Sequence, residues 1–252
     1  MRGLLVSDLH YSLKQLDWVR EASAGFDLVV VAGDTLDISS TVALGAQIVV
    51  VSKYLRNVAQ RTRIVASSGN HDLNVREASG ERVASWLAKG RLPGVVSDGE
   101  YAELGDVSIS VTRWWDGPQG CAEVRAQLIA DAARRKRQWI WVYHAPPDAS
   151  PVSWTGSKHY GDAELLKLIR QLQPDIVLSG HVHQSPFRQG GSWVDRIGPT
   201  WVFNAGQIVA PSPPHVVFDT DARTAIWTSL AGCEIVHLDR PLQRPVAELT
   251  PP

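Results

Sequence analysis

Side chains with useful chemistry follow short apolar runs at five places in the sequence. In chain order they are Asp8 with His10, Asp34, Asn70 with His71 and Asp72, His144, and His181 with His183. Carboxylates, imidazoles and an amide oxygen, without a thiolate, suit Mn, Fe or Zn better than Ca or a structural Zn. These ligands are too many for one ion, whereas two ions about 3.5 to 4 Å apart that share a carboxylate would use them all. Such a pair clamps a phosphoryl group, so the pattern predicts chemistry on phosphate esters.

The apolar runs predict strands whose carboxyl ends meet. Residues 4–7, 27–32 and 63–67 have the pattern of buried strands, and helices are predicted at 14–24 and 43–60. This βαβαβ order favours a parallel sheet covered by helices, and ligands in such sheets gather at the carboxyl ends of the strands. A single histidine after a strand is more often structural than a ligand. The fivefold repetition is what favours a site.

The pattern changes after the third strand. A helix is predicted at 77–88, and strands at 101–104 and 107–112 are joined by Gly105-Asp106, a turn typical of a hairpin. The remaining predicted elements are a helix at 122–136, a strand at 139–143, a long loop at 145–161, a helix at 162–171 with Asp162 as its N-cap, and strands at 175–179, 201–204, 216–219, 225–229 and 234–238. We expect one domain over residues 1–240 and a Pro-rich surface tail over 241–252.

Composition narrows the class of protein. The chain has 252 residues, 44% of them hydrophobic, which is enough for a large core. Its formal net charge of −1 gives no general attraction to nucleic acid or to an anionic membrane. Cys121 and Cys233 form neither a disulfide framework nor a zinc-ribbon spacing. No apolar run approaches the roughly 20 residues that span a bilayer. We therefore expect a soluble cytoplasmic protein with no membrane partner.

The chain resembles the calcineurin-like metallophosphoesterases over roughly residues 3–207. The resemblance rests on five motifs in the family's order: Asp8-x-His10, Gly33-Asp34, Gly69-Asn70-His71-Asp72, His144, and Gly180-His181-x-His183. It implies an α/β fold in which a two-sheet β-sandwich is flanked by helices (αββα), with the metal site at the strand ends. It also implies the ligand sets: Asp8, His10 and His183 for the first ion, Asn70, His144 and His181 for the second, and Asp34 bridging both. The implied reaction is hydrolysis by a hydroxide that bridges the ions.

The resemblance also implies roles for the two residues after Asn70. His71 matches the family's histidine that binds no metal and faces the oxygen of the leaving group, to which it would give a proton. Asp72 stands where the family most often has Glu. The shorter carboxylate bears on how His71 is oriented, and we expect both His71 and Asp72 to be catalytic.

Substrate preference is expected to come from loops over the metals. Arg113 and Trp114 offer a cation beside a stacking face, although they could instead be a hairpin end that covers the core. Lys158 and His159, in the long loop, could contact a phosphate or simply be solvated. The basic run at 134–137 could bind nucleic acid, but basic residues are also favoured at a helix C-terminus by the helix dipole.

Three functions are compatible with these features. The first is hydrolysis of phosphodiesters of small or nucleotide-like molecules with two divalent transition-metal ions (Mn, Fe or Zn). The second is a metal-dependent nuclease on single-stranded or terminal nucleic acid, which the neutral net charge does not favour. The third is a catalytically silent scaffold of the same fold, against which the complete ligand set argues.

Overall fold

Two β-sheets with helices on their outer faces form the protein in a computed structural model that describes residues 1–249. The helices are α1 (Leu13–Ala22), α2 (Leu44–Ala59), α3 (Pro118–Ala132) and α4 (Ala163–Leu172). The strands are β1 (Arg2–Val6), β2 (Leu28–Ala32), β3 (Arg63–Ser67), β4 (Val75–Arg76), β5 (Arg82–Val83), β6 (Val95–Val96), β7 (Glu100–Leu104), β8 (Val107–Val111), β9 (Gln138–Val142), β10 (Ile176–Ser179), β11 (Val194–Ile197), β12 (Thr200–Asn204), β13 (His215–Asp219), β14 (Thr224–Ser229), β15 (Gly232–His237) and β16 (Ala247–Glu248).

Each sheet has a parallel centre. The first has the order β16-β15-β14-β13-β1-β2-β3-β6, and β1, β2, β3 and β6 run parallel. The second has the order β11-β12-β10-β9-β8-β7, in which β8, β9, β10 and β12 run parallel. The parallel βαβαβ arrangement predicted for the first third of the chain is thus confirmed.

Alternation along the strands builds three apolar layers. In β1, Leu5 lies between the two sheets, whereas Leu4 faces the layer of α1 and α2. In β9, Ile140 lies between the sheets and Trp141 faces the layer of α3 and α4. Strands buried on both faces carry unbroken apolar runs, because successive side chains point to opposite faces and both are covered. This is the αββα architecture expected from the resemblance.

Residues 75–83 form a short hairpin of β4 and β5, so the helix predicted at 77–88 is wrong. Gly80 has φ of +86°, and the Glu77 backbone nitrogen donates to the Glu81 carbonyl across the turn. The Glu81 carboxylate accepts hydrogen bonds from backbone nitrogens at the start of α3, including that of Gly120. A tertiary contact therefore holds these residues in a turn that their local pattern does not indicate.

Other differences are smaller. Helix α3 ends at Ala132, so the basic run at 134–137 follows the helix and does not form its last turn. Strand β11 lies in a segment predicted as loop. In the predicted tail, β16 pairs with β15 and extends the sheet, while residues 250–252 of the tail lie outside the described part. Asp162 caps α4 as predicted. Within residues 1–249, no helix is long and apolar enough to cross a bilayer.

Candidate metal centre

The loops that follow the parallel strands take unusual backbone conformations where they present polar side chains. Asp8, His10, Asp34 and His181 have φ of 55°, 42°, 50° and 69°. Residues other than glycine rarely adopt this left-handed region, and when they do they cluster at functional sites. The loops also bind one another, since the backbone nitrogens of Asp8 and His10 donate to the carbonyls of Gly33 and Asp34 at 3.1 and 3.0 Å.

Asp8, His10 and His183 form a first cluster of potential ligands. The Nε2 atoms of the two histidines are 3.0 Å apart, and His183 Nε2 is 3.2 Å from Asp8 Oδ1. Asp8 is completely buried, and its carboxylate accepts hydrogen bonds from the backbone nitrogen of His181. The loop after β1 and the loop after β10 are therefore joined at this point.

Asp34, His144 and His181 form a second cluster beside the first. His144 Nε2 lies 3.0 Å from Asp34 Oδ2 and 3.8 Å from Asp8 Oδ1. His144 Nδ1 is 2.7 Å from the carbonyl of Ala32, an arrangement in which Nδ1 carries the proton and donates it. When the ring is neutral, this tautomer leaves the lone pair of Nε2 available to bind a metal in place of the second proton.

Two glycines allow these side chains to come together. A Cβ on Gly69 would lie 2.2 Å from Asp34 Oδ1 and 2.7 Å from His144 Cδ2. A Cβ on Gly180 would lie 2.4 Å from Asp8 Oδ2. No side chain fits at these distances, so both glycines are required for close packing of the ligand loops.

The donor atoms fit metal ions. Among residues 1–249, the buried Asn70 Oδ1 has no hydrogen-bond partner, and the buried His144 Nε2 lies against the Asp34 carboxylate at 3.0 Å. Buried polar atoms are normally satisfied, so the unsatisfied amide oxygen needs a further partner. Imidazole, carboxylate and amide oxygen without thiolate are the ligands that Mn, Fe and Zn accept.

Burial and charge move the pKa values of these groups in different directions. Burial opposes ionisation of Asp8, but the contact with His183 and the charge of His144 outweigh it and hold the Asp8 pKa below its usual value. Burial opposes protonation of His144, yet Asp34 and Asp8 raise its pKa to about 9. Burial, helped by the charge on His144, lowers the pKa of His181 to about 4. The site therefore keeps ionised carboxylates in its interior, where they attract cations.

His71 is held beside the clusters by the loop that follows β2. Its backbone nitrogen donates to Asp34 Oδ1 at 2.8 Å, and its ring lies 4.7 Å from that of His10. Its Nδ1 is 3.5 Å from the backbone nitrogen of Ile38 and 4.0 Å from Asp37 Oδ1. Because these neighbours occupy the Nδ1 side, Nε2 is the nitrogen left for a substrate.

Asp37, whose Oδ1 lies 4.0 Å from His71 Nδ1, is itself fixed. Gln47 of α2 accepts from the Asp37 backbone nitrogen and donates to its carbonyl, both at 2.9 Å, and the Ser39 nitrogen donates to Asp37 Oδ1. This residue lies outside the five motifs of the sequence. A carboxylate three positions after Asp34, in the same loop, was the available signal.

Asp72 faces away from the reaction site. Its Oδ1 accepts from the Thr35 nitrogen and hydroxyl and from the Leu36 nitrogen, and its Oδ2 accepts from the Gly69 nitrogen. Burial, then the charge of Asp34, raises the pKa of Asp72 to about 6. Asp72 thus ties the two loops together, and these contacts favour a positioning role.

The aromatic side chains lie on the side of the second cluster. Trp114 packs 5.2 Å from the ring of His181 and 5.7 Å from that of His144. Tyr160 stacks on His181 at 5.2 Å, and Lys158 Nζ lies 5.7 Å from the centre of the Tyr160 ring. Trp114 and Tyr160 therefore lie against the second cluster, and Lys158 lies beside Tyr160.

The other two candidate substrate contacts have local partners. Arg113 lies 3.6 Å from a carboxylate oxygen of Glu77 and 2.8 Å from one of Glu123. His159 Nδ1 is 3.0 Å from the Ser150 carbonyl within its own loop. The ion pairs of Arg113 favour the alternative of a hairpin end. His159 is not simply solvated, since it contacts its own loop.

Comparison with solved structures identifies proteins of the same architecture. The protein TT1561 of Thermus thermophilus superposes with a TM-score of 0.56 at 14% identity, covering 94% of this chain and 98% of that one. Purple acid phosphatase PPD1 from yellow lupin (Lupinus luteus) seeds gives 0.56 at 14% identity, covering 95% and 52%. A dimetal phosphatase from Danio rerio gives 0.53 at 11% identity, covering 90% and 95%. At such identities the likeness shows the fold alone.

A comparison with curated proteins finds no significant match. Residues 1–185 match the family described as calcineurin-like phosphoesterase, and this match includes both clusters and His71. That span is well over half of the chain and ends just after His183. The chain belongs to the calcineurin-like phosphoesterase family.

Proposed function

We propose that this protein hydrolyses phosphodiesters of small or nucleotide-like molecules with two divalent transition-metal ions. The observation that carries the proposal is the pair of adjoining clusters. His71 lies between these clusters and an open pocket. The proposed ligands of the first ion are Asp8, His10 and His183, and those of the second are Asn70, His144 and His181, with Asp34 shared. When bound, the ions would activate water as the nucleophile and neutralise charge on the phosphate oxygens.

His71 is proposed as the acid that gives a proton to the leaving oxygen. Its backbone bond to Asp34 fixes the ring next to the shared carboxylate, and Asp37 lies on the Nδ1 side of the ring. The proton would then leave from Nε2. General acid catalysis of this kind contributes about 10²- to 10⁴-fold, and it matters most for an alkoxide leaving group, because that group departs slowly without a proton.

The basic run at 134–137 gives little support to the nuclease alternative. Arg134 is paired with Asp131, Lys136 with Glu103 and Arg137 with Asp106, at 2.6 to 2.9 Å. Side chains already paired with carboxylates are poorly available to a phosphate backbone. Activity on oligonucleotides that falls steeply as salt rises would favour the nuclease instead, since phosphate contacts release counterions.

The scaffold alternative predicts neither bound metal nor turnover. The unsatisfied buried Oδ1 atom of Asn70 argues against it, because a protein with no metal to bind would gain by satisfying this atom. Lack of tightly bound metal, together with no activity on an aryl phosphodiester after addition of Mn, would establish the scaffold.

The proposed role of His71 is tested with His71→Ala in the Mn-loaded protein. We expect both ions to remain by elemental analysis, activity on alkyl diesters to fall about 10²-fold or more, and activity on a 4-nitrophenyl diester to fall less. The difference arises because nitrophenolate leaves without a proton. Cyclic nucleotides, linear diesters, monoesters and short oligonucleotides tested in parallel would define the substrate class.

His237→Ala is the matched control. His237 is exposed and pairs with Thr224 of β14. In the register of the sheet, this pair is aligned with the beginning of β1, which is the end of the sheet opposite the site. This variant should keep both metal and activity. Loss of metal from His71→Ala would show that His71 is a ligand, and equal losses on the two kinds of diester would show that it is not the acid.

A further inference from the structure

The first cluster and His71 open into a pocket of about 610 Å³. Three histidines line the pocket: His10, His71 and His183. Residues 207–211 contribute to its wall, with Gln207, Val209 and Pro211 among the lining residues. This volume is in the range of sites that hold small organic ligands. Because His71 would give its proton to the leaving oxygen, a leaving group would extend into this pocket.

A residue of α1 holds the wall at residues 207–211 in place. The side chain of Gln15 is buried, at 2% exposure, and its Nε2 donates to the carbonyls of Ile208 and Ala210, each at 3.0 Å. The Gln207 backbone nitrogen also donates to the carbonyl of His183 at 3.1 Å. Three backbone atoms of a short irregular segment are thus bound to the helix and to a metal-binding loop. The wall is preorganised.

Val209 is the side chain that this fixed segment presents to the pocket. It is 99% exposed although it is aliphatic, and it follows Gln207 by two positions on the same wall. Ile38, in the loop that contacts His71, is also apolar and 60% exposed. Single exposed aliphatic side chains are ordinary on a protein surface. An aliphatic side chain on an anchored segment that lines the pocket of the proposed acid is a different case, because a ligand there would cover it.

We propose that this pocket binds the leaving group of the ester and that Val209, on the wall anchored by Gln15, makes the protein prefer leaving groups with an apolar face such as an aryl ring. The inference rests on the proposed function and adds the class of the organic group. The rigid wall makes the preference effective, since little conformational freedom is lost when the ring packs against Val209.

The test measures binding of phenylphosphonate and methylphosphonate to the Mn-loaded protein by calorimetry, together with hydrolysis of ethyl 4-nitrophenyl phosphate. Val209→Ser should weaken phenylphosphonate binding about three- to tenfold, the effect of losing one partial apolar contact, and leave methylphosphonate unchanged. Gln15→Leu, which removes both anchoring hydrogen bonds, should weaken phenylphosphonate binding in the same direction. Val49→Ser makes the identical change at a 67% exposed position of α2 and should alter neither.

The outcomes separate the inference from the function on which it rests. If the protein hydrolyses phosphate esters but Val209→Ser behaves like Val49→Ser, or weakens both phosphonates equally, the inference is wrong and the function stands. If the metal-loaded protein hydrolyses no phosphate ester, the proposed function fails and the inference falls with it. Selective loss of phenylphosphonate binding in Val209→Ser, with hydrolysis retained, supports both.

Discussion

Replacing Asp98 with asparagine should stabilise the protein at pH 8 and make its stability less dependent on pH. Asp98 is 8% exposed and lies behind the loop that carries Asn70 and His71. Its Oδ1 accepts a hydrogen bond from the Ser68 backbone nitrogen at 2.8 Å. Burial outweighs this bond and raises the pKa of Asp98 from 3.8 to about 7.

The sign and size of the effect follow from the two pKa values. In the unfolded chain Asp98 ionises near its ordinary value of 3.8, so between that pH and about 7 the folded protein holds the extra proton. Protonated Asp98 therefore makes its full contribution to the stability of the fold below pH 3.8, and this contribution is lost as the pH rises through about 7. The pKa difference of about three units, at roughly 1.4 kcal/mol per unit, lowers the free energy of unfolding by about 4 kcal/mol at pH 8. At pH 5 the cost is about 1.6 kcal/mol by the same relation.

Asparagine has the shape of aspartate and can accept the same bond from Ser68, but it carries no charge to bury. Asp98→Asn should therefore gain up to about 4 kcal/mol at pH 8 and less at pH 5. Urea unfolding at the two pH values, with equal metal content in both proteins, measures the difference. Asp239→Asn, at an exposed position, should change stability little at either pH. A destabilised Asp98→Asn at pH 8, or a gain that does not depend on pH, would refute the reasoning.

Two further predictions concern the ligand loops. Gly69→Ala should lose bound metal, measured by elemental analysis, because the new Cβ would lie 2.2 Å from Asp34 Oδ1. Gly45→Ala is the control and should keep its metal, because a Cβ there would have no atom within 4 Å. Equal metal content in the two variants would contradict the close approach. Asp37→Asn should keep the metal and lower kcat on alkyl diesters by about tenfold or more while sparing aryl diesters, if Asp37 orients His71. Equal losses on both classes of substrate would count against that role.

Local patterns were informative where burial dominates. Strands covered on both faces need unbroken apolar runs, and the polar residues after them stand out for that reason, so Asp8, Asp34 and His144 could be identified without coordinates. The same patterns failed at residues 77–88, where helical spacing competes with Gly80 and with the contact between Glu81 and α3.

The sequence by itself determined where the strands that precede the site end, the chemical types of the side chains that follow them and the parallel order of the first strands, because all three depend on near neighbours in the chain. Only the tertiary structure decided which carboxylate serves which partner. Asp72 is adjacent to His71 yet binds the loop of Thr35, whereas Asp37 Oδ1 lies 4.0 Å from Nδ1 of the imidazole. Gln15 donates a hydrogen bond to Ile208, which lies 193 positions later in the sequence. Such pairings depend on where separate loops lie after the sheets have packed, and no local propensity encodes that.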